Sequence, residues 1–228
     1  MVSKKVYAIE QAFCKLLQEN ELKKITVSRI CSNAGVSRAT FYTYFDNTEA
    51  LLQEIEERTL ADISQIYENW SYFSIKSLGE VKIAPVNMEI SRYCHKHREV
   101  FRALFGPYGD EAFICRYENY VYQDYLKHIR AEANLRFPEL LASACAGAMI
   151  GLCRVWFSDN TNLATVEEMA LLRTAVTYRL FFSADQFSDV FQAPSKSSHI
   201  FGQERTAPVS TPQDENLWSW NSRGEHNE

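Results

Sequence analysis

The chain contains no Cys-x-x-Cys pair, no glycine-rich phosphate loop, no nucleophile elbow and no His-Glu-x-x-His pattern. The commonest nucleotide-hydrolysing, acyl-transfer and zinc-hydrolase chemistries are therefore excluded. No secretory signal is seen, so Cys14, Cys31, Cys94, Cys115, Cys145 and Cys153 are expected as reduced thiols in a cytoplasmic protein. Most lie on the apolar side of helical patterns and should behave as small buried hydrophobes. The longest apolar run, Leu140 to Cys153, is closed by Arg154 and falls short of the ~20 residues needed to cross a bilayer. It reads as a buried helix, and no membrane partner is expected. Cys94, His95 and His97 cluster without a remote pair of ligands, so no metal and no cofactor is assigned. Strand-like alternation and internal repeats are missing as well, which leaves an all-α fold. The net charge of −5 excludes a wholly basic nucleic-acid coat. The first fifty residues nevertheless carry seven Lys and Arg against five Asp and Glu, so a slightly basic head precedes an acidic body.

The segment Ile25 to Phe45 has a repeated grammar. Thr26 is placed to cap one short helix, with Ile25 and Ile30 as its hydrophobic staple; Ser37 is placed to cap a second, with Val36 and Phe41. Between them Gly35 can take the positive φ that ends a helix. Helix, glycine turn and capped helix is the DNA-reading helix-turn-helix arrangement. The second helix, about Ser37 to Tyr44, presents Ser37, Arg38, Ala39 and Thr40 in its first turn. Arg38 can bond bidentately to a guanine edge, and Ala39 permits contact with a thymine methyl. Tyr42, Thr43 and Tyr44 carry hydroxyls suited to phosphate oxygens. An ordinary helical hairpin, with Phe41 and Phe45 as core, has the same pattern.

Ala34-Gly35-Val36-Ser37-Arg38, then Phe41-Tyr42-x-Tyr44-Phe45 and Glu49-x-Leu51, closely resembles the signature of the TetR family of bacterial transcriptional regulators, over roughly residues 4 to 64. The resemblance implies that the second helix enters the major groove and that Tyr42 and Thr26 touch the backbone. One departure stands at Thr48, where most members carry a phosphate-binding Lys. Thr48 can donate a hydrogen bond but brings no charge, which puts one salt-dependent contact in doubt.

A first helix is expected over Met1 to about Asn20, with Val6, Ile9, Phe13, Leu16 and Leu17 as its apolar stripe and Lys4, Lys5, Glu10 and Lys15 off it. Asn47 is placed to cap a long helix reaching about Tyr72. A joint and a short helix follow over 73–85, then helices over Val86–Phe105, Asp110–Glu132, Pro138–Phe157 and Val166–Phe182. Gly106-Pro107-Tyr108-Gly109 breaks the chain between the first two of these, and Thr165 caps the last. Adjacent carboxylates such as Glu56 and Glu57 read as solvated charge. The aromatic residues between 93 and 125 line either a cavity or a filled core, because both have one periodicity. Ser143, Gly147 and Gly151 give a smooth helix face. With Met169, Leu172 and Val176 it can serve packing within one chain or a four-helix interface between two.

The last two helices also resemble those of TetR proteins, within the subgroup that includes the regulator of dihydroxyacetone-kinase genes. That likeness implies a homodimer through these helices. It also implies a pocket for an unknown small-molecule effector, for which Tyr93, Phe101, Phe105, Tyr117, Tyr120 and Trp156 are the candidates. The expected organisation is a DNA-binding domain over 1–64, an effector-binding and dimerisation domain over 65–190, and a disordered tail over 191–228. The expected function is a cytoplasmic, nucleoid-associated, ligand-responsive regulator, most simply a repressor, bound as a homodimer to a pseudo-palindromic double-stranded operator. A protein-binding adaptor that has lost or weakened operator binding is the alternative, and no enzyme activity is expected.

Overall fold

The computed structural model describes residues 3–69, 83–132, 137–158 and 163–182, all within one compact unit, Met1–Ala193. The fold is all-α, and among the described residues no strand occurs. Helix α1 (Lys4–Glu19) is capped by Ser3, whose Oγ accepts from the Lys5 amide at 3.3 Å. It buries Val6, Ile9, Phe13, Leu16 and Leu17 against α2 (Val27–Ala34) and, further on, α6 (Arg98–Phe105). Helix α3 (Arg38–Tyr42) packs on α2. Asn47 caps α4 (Thr48–Asn69) by accepting from the Ala50 amide at 2.7 Å. The boundary expected near residue 64 falls inside α4, which runs through it unbroken. The joint expected over 73–85 lies mostly outside the described residues, as does the 191–228 tail.

Pro85, expected inside that joint, is instead the first residue of α5 (Pro85–Lys96), where its missing amide donor costs nothing. The single helix expected over Val86–Phe105 is two. It bends at His97 (φ −103°, ψ 29°), because α5 packs on α4 and α9 (Val166–Phe182) whereas α6 packs on α1, α7 (Glu111–Glu132) and α8 (Pro138–Ser158). Burying both apolar faces requires two axes. The turn after α6 requires glycine, since a Cβ at residue 109 would overlap the Leu104 carbonyl. Asp110 then accepts from the Ala112 amide at 2.9 Å and starts α7. At α9 a reciprocal pair forms: Thr165 Oγ1 accepts from the Glu168 amide at 3.2 Å, and Glu168 accepts from the Thr165 amide at 2.8 Å.

Helix α8 is long and apolar enough to cross a membrane by length and composition, with half of its most apolar window buried inside the fold. It lies against α6, α7 and α9. Glu10, placed off the apolar stripe of the first helix, and Glu56, read as solvated charge, are both buried. Glu10 is 4% exposed and accepts from Arg58 of α4 at 2.6 Å. Glu56, also 4% exposed, accepts from Arg116 of α7 at 2.6 Å, while Glu57 remains on the surface. Periodicity misses such residues, because a carboxylate on the edge of an apolar stripe looks the same whether a distant arginine meets it or water does.

Candidate DNA-binding surface

The surface is assembled by two caps and one turn. Thr26 Oγ1 accepts from the Arg29 amide at 3.3 Å and Ser37 Oγ from the Thr40 amide at 3.1 Å, satisfying donors that the first turns of α2 and α3 leave unpaired. Gly35 between them is left-handed (φ 65°, ψ 34°), a conformation in which any Cβ is strained. Its neighbour Val36 donates back to the Cys31 carbonyl at 3.1 Å. Phe41 and Phe45 are fully or nearly buried beneath α3, alongside Ile25 and Ile30, so the apolar side of the short helix is fixed. Helical hydrogen bonding continues past Tyr42, with the Thr43 amide bonded to Ala39 at 3.1 Å and that of Phe45 to Phe41 at 3.0 Å.

What remains outside is polar. Thr26, Ser37, Arg38, Ala39, Tyr42, Thr43 and Tyr44 are exposed and Thr40 is half-buried. Arg38 and Tyr42 stand one turn apart. The guanidinium lies 6.0 Å from the ring centroid, and Nη2 reaches the phenol oxygen at 3.5 Å. Ser37 and Thr40 share a hydrogen bond at 3.0 Å, and Thr43 donates to the Ala39 carbonyl at 2.9 Å. Thr48 differs from the rest: it is 8% exposed and its hydroxyl donates to Glu49 at 3.0 Å. Arg29, not singled out in the sequence, is exposed beside Thr26, held loosely by Asn20 and the Lys24 carbonyl. Its position in the first turn of a capped helix is the available signal. Nearby, Lys23 and Lys24 both grip Glu21 and lower its pKa to about 2.

In the body, five of the six candidate effector residues belong to one aromatic chain with Phe157. Phe101 stacks on Phe157 at 5.1 Å, Tyr93 meets Phe101 edge-on at 6.0 Å, Phe105 meets Tyr117 edge-on at 6.3 Å, and Trp156 lies 5.1 Å from Phe157. Tyr120 stands apart against Tyr67 of α4 and donates to the Ser64 carbonyl at 3.2 Å. Cys94 is buried, His95 is exposed beside Trp156 and His97 stacks on Tyr93, so these three do not converge. Five cysteines are buried and Cys115 is exposed. Of the candidate dimer residues, Ser143, Gly147, Gly151 and Leu172 are exposed, Val176 is half-buried and Met169 is buried.

An exposed, capped short helix set on an aromatic base, following a second capped helix across a left-handed glycine, is a helix-turn-helix DNA-binding domain. Residues 11–55 match the family described as bacterial regulatory proteins, tetR family. The HTH-type dhaKLM operon transcriptional activator DhaS of Lactococcus lactis subsp. lactis (strain IL1403) is 42% identical over 65 residues, 28% of this chain and 34% of that protein. The uncharacterized HTH-type transcriptional regulator YxbF of Bacillus subtilis (strain 168) is 28% identical over 134 residues, 52% of this chain and 35% of that protein. The chain thus spans about a third of the length of each of these curated relatives.

Among solved structures, the dihydroxyacetone kinase operon activator DhaS is similar with a TM-score of 0.52 at 20% identity, covering 80% of this chain and 97% of that one. The fatty acid degradation regulator FadR from Bacillus halodurans gives 0.55 at 16%, covering 80% and 97%. SmeT, the repressor of the Stenotrophomonas maltophilia efflux pump SmeDEF, gives 0.55 at 17%, covering 77% and 90%. At these identities the likeness is one of fold.

Proposed function

We propose that the chain is a cytoplasmic, ligand-responsive transcriptional regulator, not an enzyme, that binds a pseudo-palindromic operator as a homodimer and represses by occupying it. The observation carrying this reading is the exposed Arg38–Tyr42 pair on an α3 whose opposite side is buried. Arg38 reads a guanine, Ala39 meets a thymine methyl, and Thr26, Tyr42, Thr43 and Tyr44 hold phosphates, while Ser37 and Thr40 shape the helix start. Residues 1–64 act as the head and 65–190 as the body, with α4 common to both.

Two protomers meet through α8 and α9. Among the described residues, a Cβ at Gly151 would touch nothing and one at Gly147 only Glu118 at 3.7 Å, so no described neighbour calls for these glycines. Exposed Leu140, Val155, Leu171, Leu172 and Tyr178 on the same two helices add apolar surface. A small-molecule effector binds the body and shifts the spacing of the heads, to the extent that its affinity differs between the two arrangements.

A second reading, a protein-binding adaptor with weakened operator affinity, is favoured by Thr48, whose hydroxyl is spent on Glu49 and which brings no charge. The named relative is an activator, so the sign of regulation is part of what is to be tested. A gel-shift of the full chain on DNA upstream of its own gene separates the readings. A shifted band that survives competitor DNA supports the regulator, and its absence supports the adaptor.

A further inference from the structure

The largest fully buried side chain in the described fold is a cation. Arg173 of α9 is 1% exposed, and among the described residues no carboxylate pairs with it. Its Nη2 donates to the Tyr67 hydroxyl at 3.2 Å and its Nη1 to Cys153 Sγ at 3.6 Å, while Nε has no partner. A guanidinium has five N–H donors and keeps its charge in proteins, so one phenol oxygen and one sulfur leave it short of acceptors. Buried charges are ordinarily paired. The Tyr117 hydroxyl is likewise buried without a partner, and Arg173 opposes the rise in its pKa that burial produces. Ser91, whose hydroxyl is also unpartnered, stands one turn before the buried Cys94 on the face of α5. A lone cation and orphaned hydroxyls, enclosed by aromatic rings and thiols, form a site with one positive charge to neutralise and apolar walls.

We propose that this nest is the effector site and takes a small organic carboxylate, its headgroup paired with Arg173 and hydrogen-bonded by Tyr117, its apolar part among the body's aromatic rings. A monoanion matches a single guanidinium, whereas a phosphate dianion would leave one charge uncompensated in the interior. The inference rests on the reading of the body as effector-binding, and it supplies a route to the head. Tyr67 belongs to α4, so a carboxylate that draws Arg173 away from it changes what holds the distal end of the helix leading from the DNA-binding domain.

The test is thermal unfolding of the full chain with roughly 10 mM sodium benzoate or sodium octanoate, the matching amides, or inorganic phosphate. At least one carboxylate should raise Tm by about 2 °C or more, with its amide and phosphate doing less than half as much. Arg173→Met should abolish that shift, and Tyr117→Phe, which removes an unpartnered hydroxyl and keeps the ring, should weaken carboxylate affinity at least about threefold. The Tyr117→Phe titration decides the matter if Arg173→Met does not fold. Equal shifts in wild type and both variants, no shift with either carboxylate, or an equal response to phosphate would overturn the proposal. The assay contains no DNA, so its failure leaves operator binding standing, and a failed gel-shift leaves this titration readable.

Discussion

Arg38 and Tyr42 are close enough to act on each other yet are assigned to different classes of contact. If Arg38 reads a base, Arg38→Ala costs ~1–3 kcal/mol on the preferred operator and flattens preference at one base position. Tyr42→Phe keeps the ring beneath the guanidinium and removes only the hydroxyl, so binding should weaken to all duplexes alike. Titrating both variants against an operator with each position substituted in turn separates the two; uniform losses for both would show that Arg38 does not read sequence. Gly35 is the other residue on which the surface depends. A methyl there would meet no atom of the described residues, so the penalty of Gly35→Ala comes from the backbone. Holding alanine at a φ of 65° should cost about 1 kcal/mol of stability, checked by the urea midpoint.

At the scale of elements, α4 is tied to its surroundings by buried carboxylates that meet partly exposed arginines, as well as by apolar contact. Burial is the main cause that raises the Glu56 pKa to about 7; Asp110 adds to the rise, and Arg116 only partly opposes it. A carboxyl raised above its unfolded value stabilises the fold fully below the unfolded pKa, and that contribution is lost as pH rises through the folded one. Wild-type stability should therefore decline between about pH 4.5 and 7 at the α4–α7 contact, and Glu56→Gln should flatten the decline. Denaturant midpoints measured across that window for both proteins check this, and parallel curves would contradict it.

These same elements mark what the sequence can and cannot reveal. The caps at Thr26, Ser37, Asn47 and Thr165 and the turn at Gly35 are legible because each is a local device, set by residues three or four apart. Glu10–Arg58, Glu56–Arg116 and Arg173–Tyr67 are not, since each joins residues 48 to 106 positions apart and nothing local distinguishes a buried charge from a solvated one. The bend at His97 escapes for a related reason. Its apolar spacing continues through, and only the different neighbours of α5 and α6 require two axes.

For the whole molecule, the proposed function needs two copies. Gly151→Glu places a charge where a Cβ meets no described residue of one chain, so the protomer should fold unchanged while the dimer dissociates. Light scattering coupled to size exclusion should then show the mass falling from about twice 26.3 kDa to that of one chain. An isolated head keeps only half of a two-site contact, so operator affinity should drop with it. The central claim, that α3 reads DNA sequence, is tested most directly by selecting duplexes from a random library with the full chain. Sequencing should show an enriched pseudo-palindrome whose half-sites lie ~34–36 Å, or a multiple of that, apart, with information at one position per half-site lost in Arg38→Ala. A library that emerges unenriched, or enriched identically by wild type and Arg38→Ala, would contradict it.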